Sequence, residues 1–426
     1  MTNYEAITTP AAIAGPGPAE GWFLVIDPAP EGGDWSRQRL LGLAVVLRLA
    51  LTAQTAGARA IALAPSPQRD DLRSALGDAR LKIPFFDLEA PELADTLANA
   101  ASLRVPANLV VHRAAMTSLG AHAVTRGALP SVASFALPAN AADPALKTAR
   151  EAAGMYGFEP IAVTDRAAFR SAERALLRSL RKPQDGWTST YLNRPISLFI
   201  TRRLVATELR PNQVSVGILG IGILGALLAS RGTYASLALG ALLFHAQSVL
   251  DGCDGEMSRL TFRGSITGEW LDTIGDDLTN YGFFGGAAWG LYTTTGNAVY
   301  LALGGLTIFC GLVGSGLEYR YLIKIGSGDL LKYPLGVGKA PGGETGPKSS
   351  LAQVFDAIAP LFKRDTFVFL TLLGAVAGAL GPLLAIFAVG ALGVLITVLK
   401  AELRMARERA HIRTSASLVD PVLPRD

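Results

Sequence analysis

The sequence Asp251-Gly-Cys-Asp-Gly-Glu-Met-Ser-Arg259, followed closely by Gly268-Glu-Trp-Leu-Asp-Thr-Ile-Gly-Asp276, determines the fold expected for the second half of this chain. Four aspartates recur here at intervals of three or four residues, inside a stretch that is otherwise strongly apolar. At about 100° per residue, positions three or four apart share one face of a helix. The pattern therefore predicts two helices, each with an acidic stripe, joined by a short link.

The four aspartates are Asp251, Asp254, Asp272 and Asp276. An ionisable side chain inside a transmembrane helix costs about 2.5–3.5 kcal/mol on insertion scales, so it is retained where it faces a cavity, a partner or a metal. Carboxylates that share a pocket repel one another unless divalent cations supply positive charge. Oxygen ligands without His or Cys favour Mg²⁺ or Mn²⁺ over Zn²⁺. We therefore expect all four aspartates to bind metal, with two ions as in sites that clamp phosphate oxygens.

These residues resemble the signature of the CDP-alcohol phosphotransferases, which are integral membrane enzymes. The family pattern is Asp-x-x-Asp-Gly-x-x-Ala-Arg, then Gly-x-x-x-Asp-x-x-x-Asp, and every defined position matches except the alanine, which is Ser258 here. The resemblance implies transfer of a phospho-alcohol group from a CDP-alcohol to a hydroxyl acceptor, with release of CMP, in phospholipid or polar-lipid biosynthesis. It also implies that Asp276 is the catalytic base for the acceptor hydroxyl.

A nucleotide site is expected beside the acids. Gly255 and Gly268 lack a side chain about one turn from the carboxylates, so a flat nucleotide could approach the backbone there. Asn212 follows Pro211 at the predicted start of the first span; the family resemblance implies a nucleotide-pocket role for it, and helix capping is a compatible alternative. The nucleotide-binding residues predicted are Asn212, Asp251, Asp254, Gly255, Ser258, Arg259 and Gly268.

An acceptor site is predicted from cations near the ends of two later spans. Arg320 and Lys324 follow the fourth predicted span, and Arg404 follows the sixth. Related enzymes use such a basic patch for a phosphorylated acceptor. The same cations are also explained by membrane topology alone, because cytoplasmic ends of spans are enriched in Lys and Arg.

The composition indicates two parts. Of 426 residues, 50% are hydrophobic and 17% charged, and the long uncharged runs begin after Pro211. We predict a cytoplasmic α/β domain over residues 1–185, a linker with an interfacial helix over 186–213, an all-α six-span membrane domain over 214–413 and a tail over 414–426. The two cysteines, Cys253 and Cys310, imply no disulfide framework.

The six predicted spans are each near the length that crosses a bilayer. They are Val214–Ser230, Tyr234–Leu250, Leu271–Tyr292, Ala298–Tyr319, Thr366–Leu380 and Pro382–Leu399. Lys and Arg concentrate in alternate connections, such as Lys324–Arg364 and the tail from Lys400 to Arg413. By the positive-inside rule, both termini and the acidic site lie on the cytoplasmic side of the inner membrane. No cleavable signal peptide is apparent at Met1, which agrees with this orientation.

The first half alternates short apolar runs with helical segments, as α/β folds with a mostly parallel sheet do. The predicted strands are Trp22–Ile26, Arg59–Ala64, Lys82–Phe86, Asn108–Val111, Val132–Ala136 and Pro160–Val163, and the predicted helices include Arg37–Thr55 and Ala167–Leu180. The linker from Lys182 to Gly186, with the motifs that follow it, resembles fused archaeal and bacterial proteins in which a cytidylyltransferase domain precedes a CDP-inositol-using transferase.

The chemistry of a nucleotidyltransferase is not evident in this first half. Ile26 is followed by Asp-Pro-Ala-Pro-Glu-Gly-Gly-Asp, without the lysine of a triphosphate-binding loop. The acid expected after a middle strand is replaced by His112-Arg113. We interpret the domain as a degenerate nucleotidyltransferase-like domain, with an unrelated α/β domain as the alternative and His112 as a structural or surface residue.

Two other functions stay open at the sequence level. One is a CDP-inositol:inositol-phosphate transferase that makes a soluble phosphodiester. The other is a cation transporter, although the acids lie near a membrane face and no inverted repeat is evident. Nucleic-acid binding is not supported, because the basic residues lack interleaved aromatics. Related enzymes are homodimers, so a homodimer is expected.

Overall fold

The computed structural model describes residues 21–29, 35–89, 101–126, 148, 150–152, 154–181, 185–335 and 363–419. The chain divides into two compact units. The first comprises Met1–Pro183, Arg202–Glu208 and Glu256–Arg263, and the second comprises Gln184–Thr201, Leu209–Gly255 and Gly264–Asp426. The helix that carries Asp251 therefore starts in the second unit and ends in the first.

The first unit contains a parallel sheet. Its strands are β1 (Trp22–Asp27), β2 (Arg39–Leu40), β3 (Leu43–Ala44), β4 (Ala58–Leu63), β5 (Phe85–Asp87), β6 (Ser102–Pro106), β7 (Leu109–Val110) and β8 (Ile161–Ala162). Four of them form one sheet in the order β5-β4-β1-β6, with every neighbouring pair parallel. β1 and β4 are nearly continuous buried apolar runs, which is typical of strands covered on both faces. The predicted α/β fold with a parallel sheet is confirmed.

The helices of the first unit are α1 (Val45–Thr55), α2 (Arg69–Leu76), α3 (Arg113–Arg126) and α4 (Arg166–Arg178). The prediction of a helix from Arg37 was wrong as far as Ala44. Leu41 and Gly42 have positive φ values of 47° and 80°, and they form the two-residue turn of the antiparallel β2-β3 hairpin. The predicted strand Val132–Ala136 and the linker residues 182–184 lie outside the described residues.

The helices that follow are α5 (Arg194–Leu204), α6 (Pro211–Ala229), α7 (Tyr234–Thr261), α8 (Ile266–Thr295), α9 (Val299–Ile325), α10 (Arg364–Val376) and α11 (Leu380–Val419). Among the described residues, three helical stretches are long and apolar enough to cross a membrane, Pro211–Ala229, Val299–Ile325 and Leu380–Arg409. α7 and α8 carry the acidic motif, and α10 has only 13 residues. The count of six spans therefore stays a prediction.

α5 has the composition predicted for a helix at the membrane surface. A π-helix, Ser189–Asn193, leads into it. The aromatic side chains of Trp187, Tyr191 and Phe199 are 71%, 68% and 59% exposed. Exposed aromatics next to the cations Arg202 and Arg203 are typical of helices that lie in the headgroup layer.

Packing between long helices brings the two acidic stripes together. The rings of Phe244 on α7 and Phe283 on α8 stack with centroids 4.5 Å apart and planes 7° apart. Both side chains are fully buried in one apolar cluster. This contact holds α7 and α8 side by side, and the short link between Thr261 and Ile266 makes them antiparallel neighbours.

Glycines allow α6 and α7 to approach each other closely. A Cβ atom on Gly240 would lie 2.7 Å from the carbonyl oxygen of Gly225 and 2.9 Å from the amide nitrogen of Ala229. Backbone atoms have no freedom to move aside, so a side chain here forces the helices apart. Small residues at such contacts are characteristic of packed membrane helices.

We expect Gly240→Ala to lower the melting temperature of the purified protein. Overpacking of this kind costs about 1–3 kcal/mol, which exceeds the helix-propensity gain of about 1 kcal/mol from glycine to alanine. Gly220→Ala is the matched control in α6, because nothing lies within 4 Å of its Cβ position. It should be neutral or stabilising, and an equal effect of both changes on the melting temperature would contradict the packing argument.

Candidate functional site

Three of the four predicted metal ligands converge. Asp251 lies on α7, and Asp272 and Asp276 lie one turn apart on α8. Each offers a carboxylate oxygen, and these oxygens all lie within 4.8 Å of one another. We call these three residues the acid cluster. Asp272 is exposed and the other two are partly buried, so the cluster is open on one side.

Asp254 lies one turn beyond Asp251 but is held in a different way. Its side chain is 7% exposed. Ser215 of α6 donates a hydrogen bond from Oγ to Asp254 Oδ2. This hydrogen bond ties Asp254 of α7 to α6. Asp254 is not one of the three converging carboxylates. Its role as a metal ligand stays a prediction.

Arg364, at the start of α10, enters the acid cluster. Its Nη1 lies 3.2 Å from Asp251 Oδ2, and its Nη2 lies 2.8 Å from Asp276 Oδ1. Nη2 also donates to Gln247 Oε1 at 2.9 Å. Sequence reasoning missed Arg364 because it ends a basic connection that was attributed to membrane topology.

The donor set suits a hard divalent cation. The cluster offers three carboxylate oxygens within 4.8 Å of one another, and carboxylate oxygens are the ligands that Mg²⁺ and Mn²⁺ prefer. The guanidinium of Arg364 supplies one positive charge against three carboxylates. The cluster therefore keeps a net negative charge that a divalent cation could neutralise. The residues present therefore fit the predicted metal.

We expect Arg364→Gln to tighten Mn²⁺ binding by at least roughly tenfold. The guanidinium and a divalent ion compete for the same carboxylates, and unit charges about 4 Å apart interact by about 4 kcal/mol at an effective dielectric constant near 20. Electron paramagnetic resonance of free Mn²⁺ measures the affinity directly. Arg320→Gln is the control, because Arg320 pairs with Glu402 at 2.7 Å, outside the cluster. Unchanged or weaker Mn²⁺ binding in Arg364→Gln would show that Arg364 does not compete with the ion.

Two predicted nucleotide residues lie next to each other at the starts of α6 and α8. A Cβ atom on Gly268 would lie 3.0 Å from Asn212 Oδ1. Ser265 caps α8 by accepting a hydrogen bond from the amide of Gly268 at 3.0 Å. The absence of a side chain at Gly268 therefore leaves the Asn212 amide accessible beside a helix N-terminus, where anions bind favourably.

The other predicted nucleotide residues follow one another along α7. Gly255 belongs to the second unit, and Ser258 and Arg259 belong to the first. Ser258 is partly buried and Arg259 is exposed. Their contact with a nucleotide stays a prediction.

The first turn of α5 packs on the start of the motif. A Cβ atom on Gly252 would lie 3.3 Å from Ser197 Oγ and 3.4 Å from Arg194 Nη1. Arg194 is itself held by Asp185 at 2.9 Å, and both side chains are about nine-tenths buried. The glycine between Asp251 and Cys253 thus lies in a close contact with side chains of α5, which the motif alone did not indicate.

The three predicted acceptor cations have different surroundings. Arg320 forms an ion pair with Glu402, and Lys324 is exposed. Arg404 Nη2 donates to the carbonyl of Pro334 at 2.8 Å. Arg404 also lines a cavity of about 410 Å³, whose lining residues are Tyr321, Pro334, Arg404, Met405, Glu408 and Arg409. A basic cavity is therefore present at Arg404, while Arg320 and Lys324 are not among its lining residues.

In the first unit, two ionisable groups near strand ends, Asp27 and His112, contact other side chains of the same unit. Asp27, at the carboxyl end of β1, accepts two hydrogen bonds from Arg104 Nε at 3.0 Å each and one from Nη2 at 2.7 Å. His112 packs on Tyr156 and Phe158, with ring centroids 4.5 Å and 5.7 Å away. Burial, together with the charge of Arg113, lowers the pKa of His112. These contacts favour structural roles for both groups.

No protein-family profile matches this chain. A "Bifunctional IPC transferase and DIPP synthase" of Aquifex aeolicus is 38% identical over 104 residues, which are 24% of this chain and 23% of the relative. Proteins of the same name from Thermococcus kodakarensis and Archaeoglobus fulgidus are 37% identical over 115 residues and 34% identical over 137 residues.

These matches are partial. The chain spans 26% of the length of the Thermococcus protein and 27% of the Archaeoglobus protein, and 27% and 32% of this chain take part. The relatives' name joins a transferase to a synthase in one protein, as expected for the fused subtype that the motif and linker resemble. The chain is therefore similar, over about a quarter to a third of its length, to proteins named bifunctional IPC transferase and DIPP synthase, and the predicted resemblance is confirmed.

Proposed function

We propose that this chain is a membrane transferase that moves a phospho-alcohol group from a CDP-alcohol to a hydroxyl acceptor and releases CMP. The observation that carries the proposal is the acid cluster, whose three carboxylates converge within 4.8 Å on two helices of the family signature. The names of the relatives support the same class of reaction.

The residues divide the work as follows. Asp251, Asp272 and Asp276 would hold Mg²⁺ or Mn²⁺, with Asp254 as a further ligand for a second ion. The bound metal would neutralise the diphosphate of the donor and make CMP a better leaving group. Asp276 would accept the proton of the acceptor hydroxyl. Asn212 and Gly268 would receive the cytidine nucleotide, and Arg259 the donor phosphate.

The membrane arrangement forms part of the proposal. Three apolar helices and the exposed aromatics in and just before α5 support a membrane location. We propose that α6 to α11 all span the inner membrane, that the acid cluster and both termini lie on the cytoplasmic side, and that two copies form a homodimer. The α/β domain would have no nucleotidyltransferase activity of its own.

A second candidate differs in product. The relatives' name includes a synthase next to the transferase, which favours transfer from CDP-inositol to an inositol phosphate with a soluble phosphodiester as product. The cavity at Arg404 would suit a phosphorylated acceptor, because Arg404 and Arg409 both line it. A lipid acceptor and a soluble one are distinguished by where the labelled product partitions.

The test is an assay of CMP release. Purified protein in detergent is mixed with Mg²⁺ or Mn²⁺, a panel of CDP-alcohols, and lipid or inositol-phosphate acceptors. We expect CMP release that requires both the metal and one donor and acceptor pair. Absence of CMP with every pair, while the protein stays folded and binds Mn²⁺, would reject the transferase and favour a cation-transport role.

A further inference from the structure

The C-terminal end of α7, the helix of the acidic motif, lies within the first unit together with the α/β domain. α7 ends at Thr261, and Phe262 follows with a positive φ of 53°. The amide of Arg263 donates to the carbonyl of Ser258 at 3.0 Å. This geometry is a Schellman-type end, in which a residue other than glycine takes the left-handed position.

Two carbonyls at this helix end receive arginine side chains. Arg48 Nη1 of α1 donates to the carbonyl of Leu260 at 2.8 Å. Arg80 Nη1 donates to the carbonyl of Thr261 at 2.9 Å. The last carbonyls of a helix lack partners within the helix, and cations interact favourably with the negative end of its dipole. Both arginines therefore cap α7.

Arg48 is a buried cation that links the end of α7 to the β2-β3 turn. It is 3% exposed, within a helix whose neighbouring buried residues are almost all apolar. Its Nη2 donates to the carbonyls of Leu40 and Leu41 at 2.8 Å and 3.1 Å, in the β2-β3 turn. Burial, and next the charge of Arg80, lower the pKa of Arg48 to about 9. A guanidinium buried among carbonyls costs stability, so the hydrogen bonds it makes have to offset that cost.

Arg80 is oriented by its neighbour. Asp78 accepts from Arg80 Nε at 2.7 Å and from Nη2 at 2.6 Å, which leaves Nη1 for Thr261. The turn of α7 that these arginines cap is itself inaccessible, with Leu260 at 2% and Thr261 at 6% exposure. Each of the two carbonyls at the end of α7 thus accepts a hydrogen bond from an arginine whose orientation is fixed by other contacts.

We propose that Arg48 and Arg80 are positioning residues, through which the α/β domain sets the axial position and rotation of the motif helix at Ser258 and Arg259. Since a helix rises about 1.5 Å per residue, Arg259 lies only about 3 Å along the axis from the capped Thr261. A displaced helix end would move Arg259 away from the donor phosphate that it is proposed to bind. This inference rests on the proposed function for its effect on the donor, and on the structure alone for the capping.

The first test measures the helix end without any substrate. Hydrogen exchange of the full-length protein, followed in peptides covering residues 256–263, should be about tenfold faster in Arg80→Met than in the wild type. Peptides from β1 and β4 should be unchanged. The double variant Asp78→Asn/Arg80→Met should show the same faster exchange as Arg80→Met. This result would show that the unpaired charge of Asp78 is not the cause of the faster exchange. Arg73→Met is the matched control, since Arg73 pairs with Asp87 at 2.7 Å in the same domain.

The second test measures donor binding with CDP as the probe, in the presence of Mn²⁺. Arg80→Met and Arg48→Lys should weaken CDP binding about five- to tenfold, and Arg73→Met should not. In turnover assays the KM for the donor should rise while kcat at saturating donor changes less than about twofold.

The outcomes separate the two proposals. Unchanged exchange in residues 256–263, or faster exchange with unchanged CDP affinity, would overturn the positioning role. Wild-type protein that neither binds CDP nor turns over any CDP-alcohol would reject the proposed function, and the effect on the donor with it. The hydrogen-exchange measurement would still decide whether the two arginines cap α7.

Discussion

Asp251→Asn is expected to reduce metal-dependent CMP release by at least about 10²–10³-fold, the loss typical when a transition-state charge loses its stabilising group. Asp251 joins Asp272 and Asp276 in the acid cluster and is the cluster's contribution from α7. The asparagine keeps the size of the side chain but removes one negative charge, so Mn²⁺ affinity should fall together with the rate. Initial rates of CMP release and a Mn²⁺ titration measure the two effects.

The matched control for this change is Asp277→Asn. Asp277 is also an aspartate of α8, but its Oδ2 accepts a hydrogen bond from Tyr319 at 2.7 Å and it is not part of the acid cluster. Its amide can still accept that bond, so both the rate and Mn²⁺ affinity should stay within about threefold of the wild type. If Asp251→Asn kept full activity, or if Asp277→Asn lost as much, the cluster would not be the metal site.

Asp276→Asn is expected to lower kcat by about 10²–10⁴-fold, the usual contribution of a general base. Its carboxylate lies in the cluster and 2.8 Å from Arg364, so the asparagine should also weaken Mn²⁺ binding, but saturating metal would not restore the rate. A base acts only when it is deprotonated. The wild-type rate should therefore fall at low pH as the base is protonated, and the variant should lose this limb.

A comparison at saturating metal separates the base from a simple ligand. Asp272→Asn should recover part of its rate as Mn²⁺ is raised, because Asp272 is proposed only to bind the ion. Asp276→Asn should not recover. Equal recovery of both variants at high Mn²⁺, or an unaltered pH profile in Asp276→Asn, would remove the base assignment and leave Asp276 as a ligand.

Local patterns in the sequence were sufficient for several features. The spacing of Asp272 and Asp276 at one helical turn predicts a shared face, because the period of a helix depends on the backbone alone. The apolar runs of β1 and β4 likewise predict buried parallel strands. The cap of α8 at Ser265, by contrast, was not among the predictions, although serine is a favoured N-cap residue.

Other features depended on contacts between segments far apart in the sequence. Arg364 reaches Asp251 across 113 positions, and nothing in its local sequence distinguishes it from a topology-determining cation. Asp254 shares the face of Asp251 by periodicity, yet Ser215 of α6 holds its carboxylate. The helix expected from Arg37 gives way to the β2-β3 hairpin, whose carbonyls bind the buried Arg48.

Helical period and apolar run length are encoded within a few neighbouring positions, so the sequence alone was enough to place the acids on two helices and to predict a parallel sheet. Charge partners are chosen in three dimensions. Arg364, Ser215 and the arginines that cap α7 compete for carboxylates and carbonyls that sequence spacing treats as equivalent. Desolvation makes an unpaired buried charge costly, so packing had to determine which of those groups became the acid cluster and which became structural contacts.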